Sequence, residues 1–152
     1  MPSLDFPPTK LAGTDPAALL LEVLPKAMQA LRQDLRSNRN ELTLAQFRVL
    51  ANIWRGGMTN RDLADDLGLS VAAMSRVVQG LNKLGYVSRL ENPADRREYF
   101  IQITRKGTVV FKEIRQKTKD KVDRQISILT AAEKQSLYDG LLIIAKALTF
   151  TN

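Results

Sequence analysis

The chain of 152 residues contains neither cysteine nor histidine. Without thiolates there is no disulfide framework, no cysteine redox switch and no Cys-ligated zinc site; without imidazole the commonest general base and soft-metal ligand are missing. Catalysis by carboxylates or lysine survives only in principle, and no constellation of acid, base and nucleophile assembles from this sequence. An enzyme is therefore not expected, nor a metal or cofactor. Long apolar runs are scarce as well. Leu19 to Leu21 stops at Glu22, too short for a membrane span or a signal core, and Asp5, Pro7, Pro8 and Gly13 break up the first residues. The expectation is a cytoplasmic protein with no membrane partner.

What the chain has in excess is positive charge. Lysine and arginine number 23 against 16 acids, a formal net charge of +7, which points to a polyanionic partner, nucleic acid ahead of a membrane surface. An apolar content of 44% at this length suffices for one globular core and leaves too little for two.

Residues 1–14 carry three prolines and little periodicity and read as a flexible arm. Asp15-Pro16 then gives an N-cap and a first helical position, followed by Leu20, Leu24, Ala27, Leu31 and Leu35 on one side of a helix that Pro25 should kink. Thr43 and Gln46 form a capping box for a second helix that ends near Trp54, before Gly56-Gly57. Leu44, Phe47, Leu50, Ala51 and Trp54 fall on one of its faces and Val49 and Ile53 on the other, so this helix must lie between two layers.

The segment from Met58 to Ser70 has helix-turn-helix grammar: Thr59 caps a short helix, Gly68 ends it in the left-handed region, and Ser70 caps a further helix to Leu84. Two strands follow, Tyr86 to Glu91 and Glu98 to Ile103, with a polar turn between them. A hairpin directly after such a helix is a wing. Thr104 caps a long mixed-charge helix to about Leu129, and a Thr130–Glu133 capping box opens a last helix carrying Leu137, Leu141, Leu142, Ile144, Ala145 and Leu148. That face is too apolar to leave bare, so the first and last helices are expected to pack against a second copy.

On a helical wheel the segment from Ser70 to Leu84 gathers Val71, Met74, Val77, Val78, Leu81 and Leu84 in one arc. The opposite arc holds Ala72, Arg76, Gln79 and Lys83, flanked by Ser75 and Gly80, and contains no acid. Small residues near the N-terminus, Ala72 and Ala73 beside the Ser70 cap, let a helix approach base edges; Arg and Gln pair with guanine and adenine, while Ser and Lys hold phosphates. Arg96 and Arg97 at the hairpin tip suit a minor groove, with Asp95 pairing to an arginine and fixing its direction. Arg89 on the first wing strand, and Thr59, Asn60 and Arg61 at the positive end of their helix, are expected phosphate contacts. Gly80 costs about 1 kcal/mol in mid-helix relative to alanine, and the sequence leaves open whether it serves close approach of a neighbouring backbone, close approach of DNA, or nothing at all.

From about Asp15 to Leu148 the chain resembles the multiple antibiotic resistance regulator family, MarR. The likeness rests on Leu63-Ala64 with Ser70, Ser75-Arg76-Val77, Leu81 to Gly85 with Tyr86-Val87-Ser88-Arg89, and Asp95-Arg96-Arg97 leading to Ile101-Gln102-Ile103-Thr104-Arg105-Lys106-Gly107. The resemblance implies a mainly α winged helix-turn-helix fold, about six helices with a small β-hairpin wing, dimerising through N- and C-terminal helices. It implies a single domain over 15–152, with 43–107 binding DNA and 15–40 and 108–150 forming the dimer. It also implies duplex DNA with a palindromic operator as partner, Arg97 as the wing arginine, and a repressor released by a small aromatic or anionic effector. The effector's crevice would be lined by Met28, Leu31, Phe47, Leu50 and Trp54, with Arg32 or Arg48 meeting a carboxylate. The alternative is an architectural or protein-interaction module that uses the same basic face without sequence preference.

Overall fold

The structure, a computed structural model, describes residues 15–37, 42–93 and 98–149. The arm at 1–14 and the wing tip with Asp95, Arg96 and Arg97 lie outside the described residues. Helix α1, Pro16–Ser37, opens where Asp15-Pro16 predicts: the Ala17 amide donates to the Asp15 carboxylate at 3.0 Å, and the helix continues through Pro25. Helix α2, Leu44–Ile53, has both halves of its capping box, the Gln46 amide donating to the Thr43 hydroxyl and the Thr43 amide donating to the Gln46 side chain. Phe47 and Leu50 on one face of α2 and Val49 and Ile53 on the other are all buried, as a helix held between two layers requires.

A strand absent from the sequence reading, β1 (Met58–Thr59), precedes helix α3 (Asn60–Leu67). Gly68, at φ 64°, ends α3 in the left-handed region, where its lack of a Cβ removes the strain. Helix α4, Val71–Lys83, follows, then strands β2 (Val87–Glu91) and β3 (Tyr99–Ile103). The sheet runs β1-β3-β2, all antiparallel, with Met58 opposite Ile101 and Arg89 also opposite Ile101 on the other side. Helix α5, Arg105–Gln125, passes into a short 3-10 turn at Ile126–Ile128, and α6 spans Ala131–Thr149.

The chain divides within α5 into two compact units, one ending at Ile114 and one running from Arg115. The first holds the core, in which Leu35, Leu50, Ile53, Leu63, Met74, Leu81, Ile101 and Ile114 are its largest fully buried side chains. Each contributes roughly 1.5–3 kcal/mol relative to exposure. The second unit is different. Many of its described apolar side chains face outward, among them Leu141, Leu142, Leu148, Ile143 at 67% exposure and Ile128 at 86%, while Ile126, Leu129 and Ile144 are half-buried.

Candidate nucleic-acid interface

Helix α4 begins at the Ser70 hydroxyl, which accepts from the Ala73 amide at 3.2 Å. Met74, Val78 and Leu81 point into the core; Ala72, Ser75, Arg76, Gln79 and Lys83 are exposed and Ala73 is half-buried. No acid occurs between Val71 and Lys83. The wheel had grouped Val71 and Leu84 with the buried arc, yet they are 50% and 38% exposed. They lie at the helix ends, where the core no longer reaches across.

Between the first turns of α4, the start of α3 and the strands of the wing lies a cleft of about 470 Å³, lined by Thr59, Asn60, Arg61, Val71, Ser75, Arg89, Glu98, Tyr99 and Ile101. Arg61 and Arg89 are exposed, and among the described residues Glu98 is the one carboxylate in the lining. Two residues expected to touch phosphate are committed elsewhere. Thr59 is only 8% exposed; its hydroxyl donates to the Asp62 carboxylate at 2.8 Å and accepts from the Asp62 amide at 3.1 Å, so it braces α3. Asn60 gives both side-chain hydrogens to α4, one to the Ser75 hydroxyl at 2.9 Å and one to the Val71 carbonyl at 3.2 Å.

The far end of α4 is anchored by the start of α5. The Thr104 hydroxyl donates to the Gly85 carbonyl at 2.7 Å and accepts from the Gly107 amide at 3.0 Å. The Lys106 ammonium donates to the Leu84 carbonyl at 2.8 Å and lies 5.2 Å from the centre of the Tyr86 ring. Carbonyls that a helix C-terminus leaves unpaired are thus satisfied from another element, one of them by a cation that suits the helix dipole. Gly80 is explained from the opposite side: a Cβ there would lie 2.9 Å from Nε2 of Gln46, the capping residue of α2.

The residues assigned to an effector crevice differ in their surroundings. Phe47 and Leu50 are buried in the core, and Phe47 and Trp54 pack on Phe111 with ring centres 5.4 and 5.5 Å away. Lys112 covers the Trp54 ring at 5.0 Å. Met28 and Leu31 are half-buried, and Arg32 and Arg48 face solvent. Phe47, Trp54 and Phe111 pack together at the edge of the core. Among the described residues no group of carboxylates has the arrangement of a metal site, and no helix is long and apolar enough to cross a membrane.

A short helix, a left-handed turn, a second helix with an acid-free outer face and a three-stranded wing sheet define a winged helix-turn-helix DNA-binding protein. Residues 42–99 match the sequence model of the family described as MarR family. The HTH-type transcriptional regulator YfiV of Bacillus subtilis is 29% identical over 109 residues, covering 71% of this chain and 68% of that protein. The multiple antibiotic resistance protein MarR of Escherichia coli is 26% identical over 103 residues, 67% of this chain and 72% of that one. A crystal structure of a MarR mutant from E. coli has a TM-score of 0.76 at 27% identity, over 86% of this chain and 96% of that one. Over residues 42–99 the chain matches the MarR family model, and the relatives and solved structures it is similar to are transcriptional regulators.

Proposed function

We propose that the protein is a sequence-specific regulator that binds a palindromic operator as a homodimer, with α4 in the major groove and the wing in the minor groove. The observation that carries this reading is the outer face of α4: Ala72, Ser75, Arg76, Gln79 and Lys83 are exposed together and no carboxylate interrupts them. Arg76 and Gln79 have the donor geometry for guanine and adenine edges, and Lys83, Arg61 and Arg89 supply phosphate contacts. Arg96 and Arg97 would enter the minor groove, with Asp95 orienting them.

The exposed apolar side chains of α1, Leu19, Leu21, Val23 and Leu24, and those of α6 support dimerisation through 15–40 and 108–150, with 43–107 as the DNA-binding region. A protein working in this way acts in the cytoplasm, in reach of the chromosome. The finer reading is a repressor that a small aromatic or anionic effector releases. With Phe47 and Leu50 in the core, the cleft bearing Arg61 and Arg89 is the better-supported seat, because an anion there takes the space and charge that a phosphate needs.

The test is to map bound sites across the genome of the source organism and to compete a recovered site against random duplex. Preference for the recovered site, lost in Arg76→Ala and Gln79→Ala, is the expected result. Equal affinity for every duplex would instead favour an architectural role, and light scattering of a monomer at micromolar concentration would remove the dimer.

A further inference from the structure

The two hydrogen bonds of Asn60 decide which way the Ser75 hydroxyl can point. A carbonyl oxygen only accepts, so the end of the Asn60 amide facing the Val71 carbonyl is its nitrogen, and the bond to Val71 fixes the orientation of the whole group. Its second hydrogen goes to the Ser75 oxygen. Both donors of Asn60 are then spent, and the acceptor oxygen that remains is repelled by a phosphate.

Ser75 gains what Asn60 gives up. A serine inside a helix commonly turns its hydrogen back to the carbonyl four residues earlier, which for Ser75 is Val71. That carbonyl already serves the helix ladder, and Asn60 occupies its remaining lone pair. Asn60 also takes up a lone pair on the Ser75 oxygen. Among the described residues the hydroxyl hydrogen is left without an acceptor, on an exposed side chain that lines the cleft with Arg61, Arg89 and Tyr99.

We propose that Asn60 is a positioning residue that turns Ser75 into an outward-facing donor for a DNA backbone phosphate seated between Arg61 and Arg89. This assignment rests on the DNA-facing reading of the cleft. It makes Ser75 the contact and Asn60 its support, and the two act as one unit.

The experiment is a double-mutant cycle with a labelled random-sequence duplex, since a phosphate contact is independent of sequence. Ser75→Ala weakens binding about ten-fold, the scale of one hydrogen bond to a charged group. Asn60→Ala brings a similar loss, because the hydroxyl turns back to Val71. Asn60→Ala adds almost nothing in the Ser75→Ala background. The salt dependence of binding keeps its slope in all three, because no cation is removed. Independent, additive losses, an unaffected Ser75→Ala, or an unaffected Asn60→Ala would each overturn the assignment. Thermal unfolding of each variant separates a folding defect: a loss of affinity that follows lowered stability and not the presence of the hydroxyl also counts against it. A wild-type chain that binds no duplex overturns the DNA-facing reading and this assignment with it, whereas wild-type binding with additive losses overturns the assignment alone.

Discussion

The carbonyl oxygen of Tyr86 lies 2.1 Å from where a Cβ on Gly107 would stand. The same carbonyl accepts from the Thr104 amide at 3.0 Å, so it cannot move aside without breaking the joint between the end of α4 and the start of α5. In an open helix, replacing glycine by alanine gains about 1 kcal/mol. Here the overlap is with backbone and reverses the sign. Gly107→Ala is expected to lose about 3 kcal/mol in urea unfolding, with weaker duplex binding because α4 loses its anchor.

Gly80 presents the milder form of the same problem, since the obstructing atom is the end of a flexible side chain. Gly80→Ala should be close to neutral: the helix gains about 1 kcal/mol while the Gln46 cap is displaced at similar cost. With Gln46→Ala already in place the obstruction is gone, and the same change should stabilise by about 1 kcal/mol. Denaturant unfolding of the four proteins checks it; equal effects in both backgrounds would mean that Gln46 is not the neighbour that matters.

Charge in the cleft gives a pair of opposed expectations. Removing the Arg89 cation should weaken binding to all duplexes alike and lower the salt slope by about 1. Glu98→Gln removes a carboxylate of the lining and should tighten binding several-fold, most clearly at low salt. Titrations at three salt concentrations measure both. A weaker Glu98→Gln protein would show that the carboxylate serves to align its arginine neighbours.

The start of α6 should respond to acid. The Thr130 amide and then its hydroxyl donate to the Glu133 carboxylate, and both bonds hold its pKa below the ordinary value. A depressed carboxylate stabilises the fold above its unfolded pKa, and the contribution disappears as pH falls through the folded value. Glu133→Gln should therefore melt below wild type near neutral pH, and the gap should close as the solution is acidified through the carboxylate range. A gap of constant size from neutral to acid would refute the cap's charge dependence.

Features set by neighbours in the chain were legible from the sequence. The Thr43–Gln46 and Thr130–Glu133 boxes, the Ser70 cap and the Gly68 turn each depend on residues three or four apart, and each forms as expected. Strand β1 was not legible, because two residues carry no alternation and their pairing partners, Ile101 and Phe100, lie far along the chain. Asn60 was read as a phosphate contact for the same reason: its partner Ser75 is fifteen positions away. The pattern of α2 demanded two packed faces, and Phe47 and Leu50 on one and Val49 and Ile53 on the other are buried. Wheel geometry fails at Val71 and Leu84 because it treats a helix as endless.

What holds α4 in position leaves Arg76, Gln79 and Lys83 on its outer face untouched. Met74, Val78 and Leu81 grip it from beneath, Asn60 ties its first turn, and Thr104 and Lys106 secure the residues just past its end. Arg76, Gln79 and Lys83 support none of this, so altered base preference at these positions leaves the scaffold intact. Such a helix behaves as an interchangeable type block, open to retargeting by a few substitutions at almost no cost in folding.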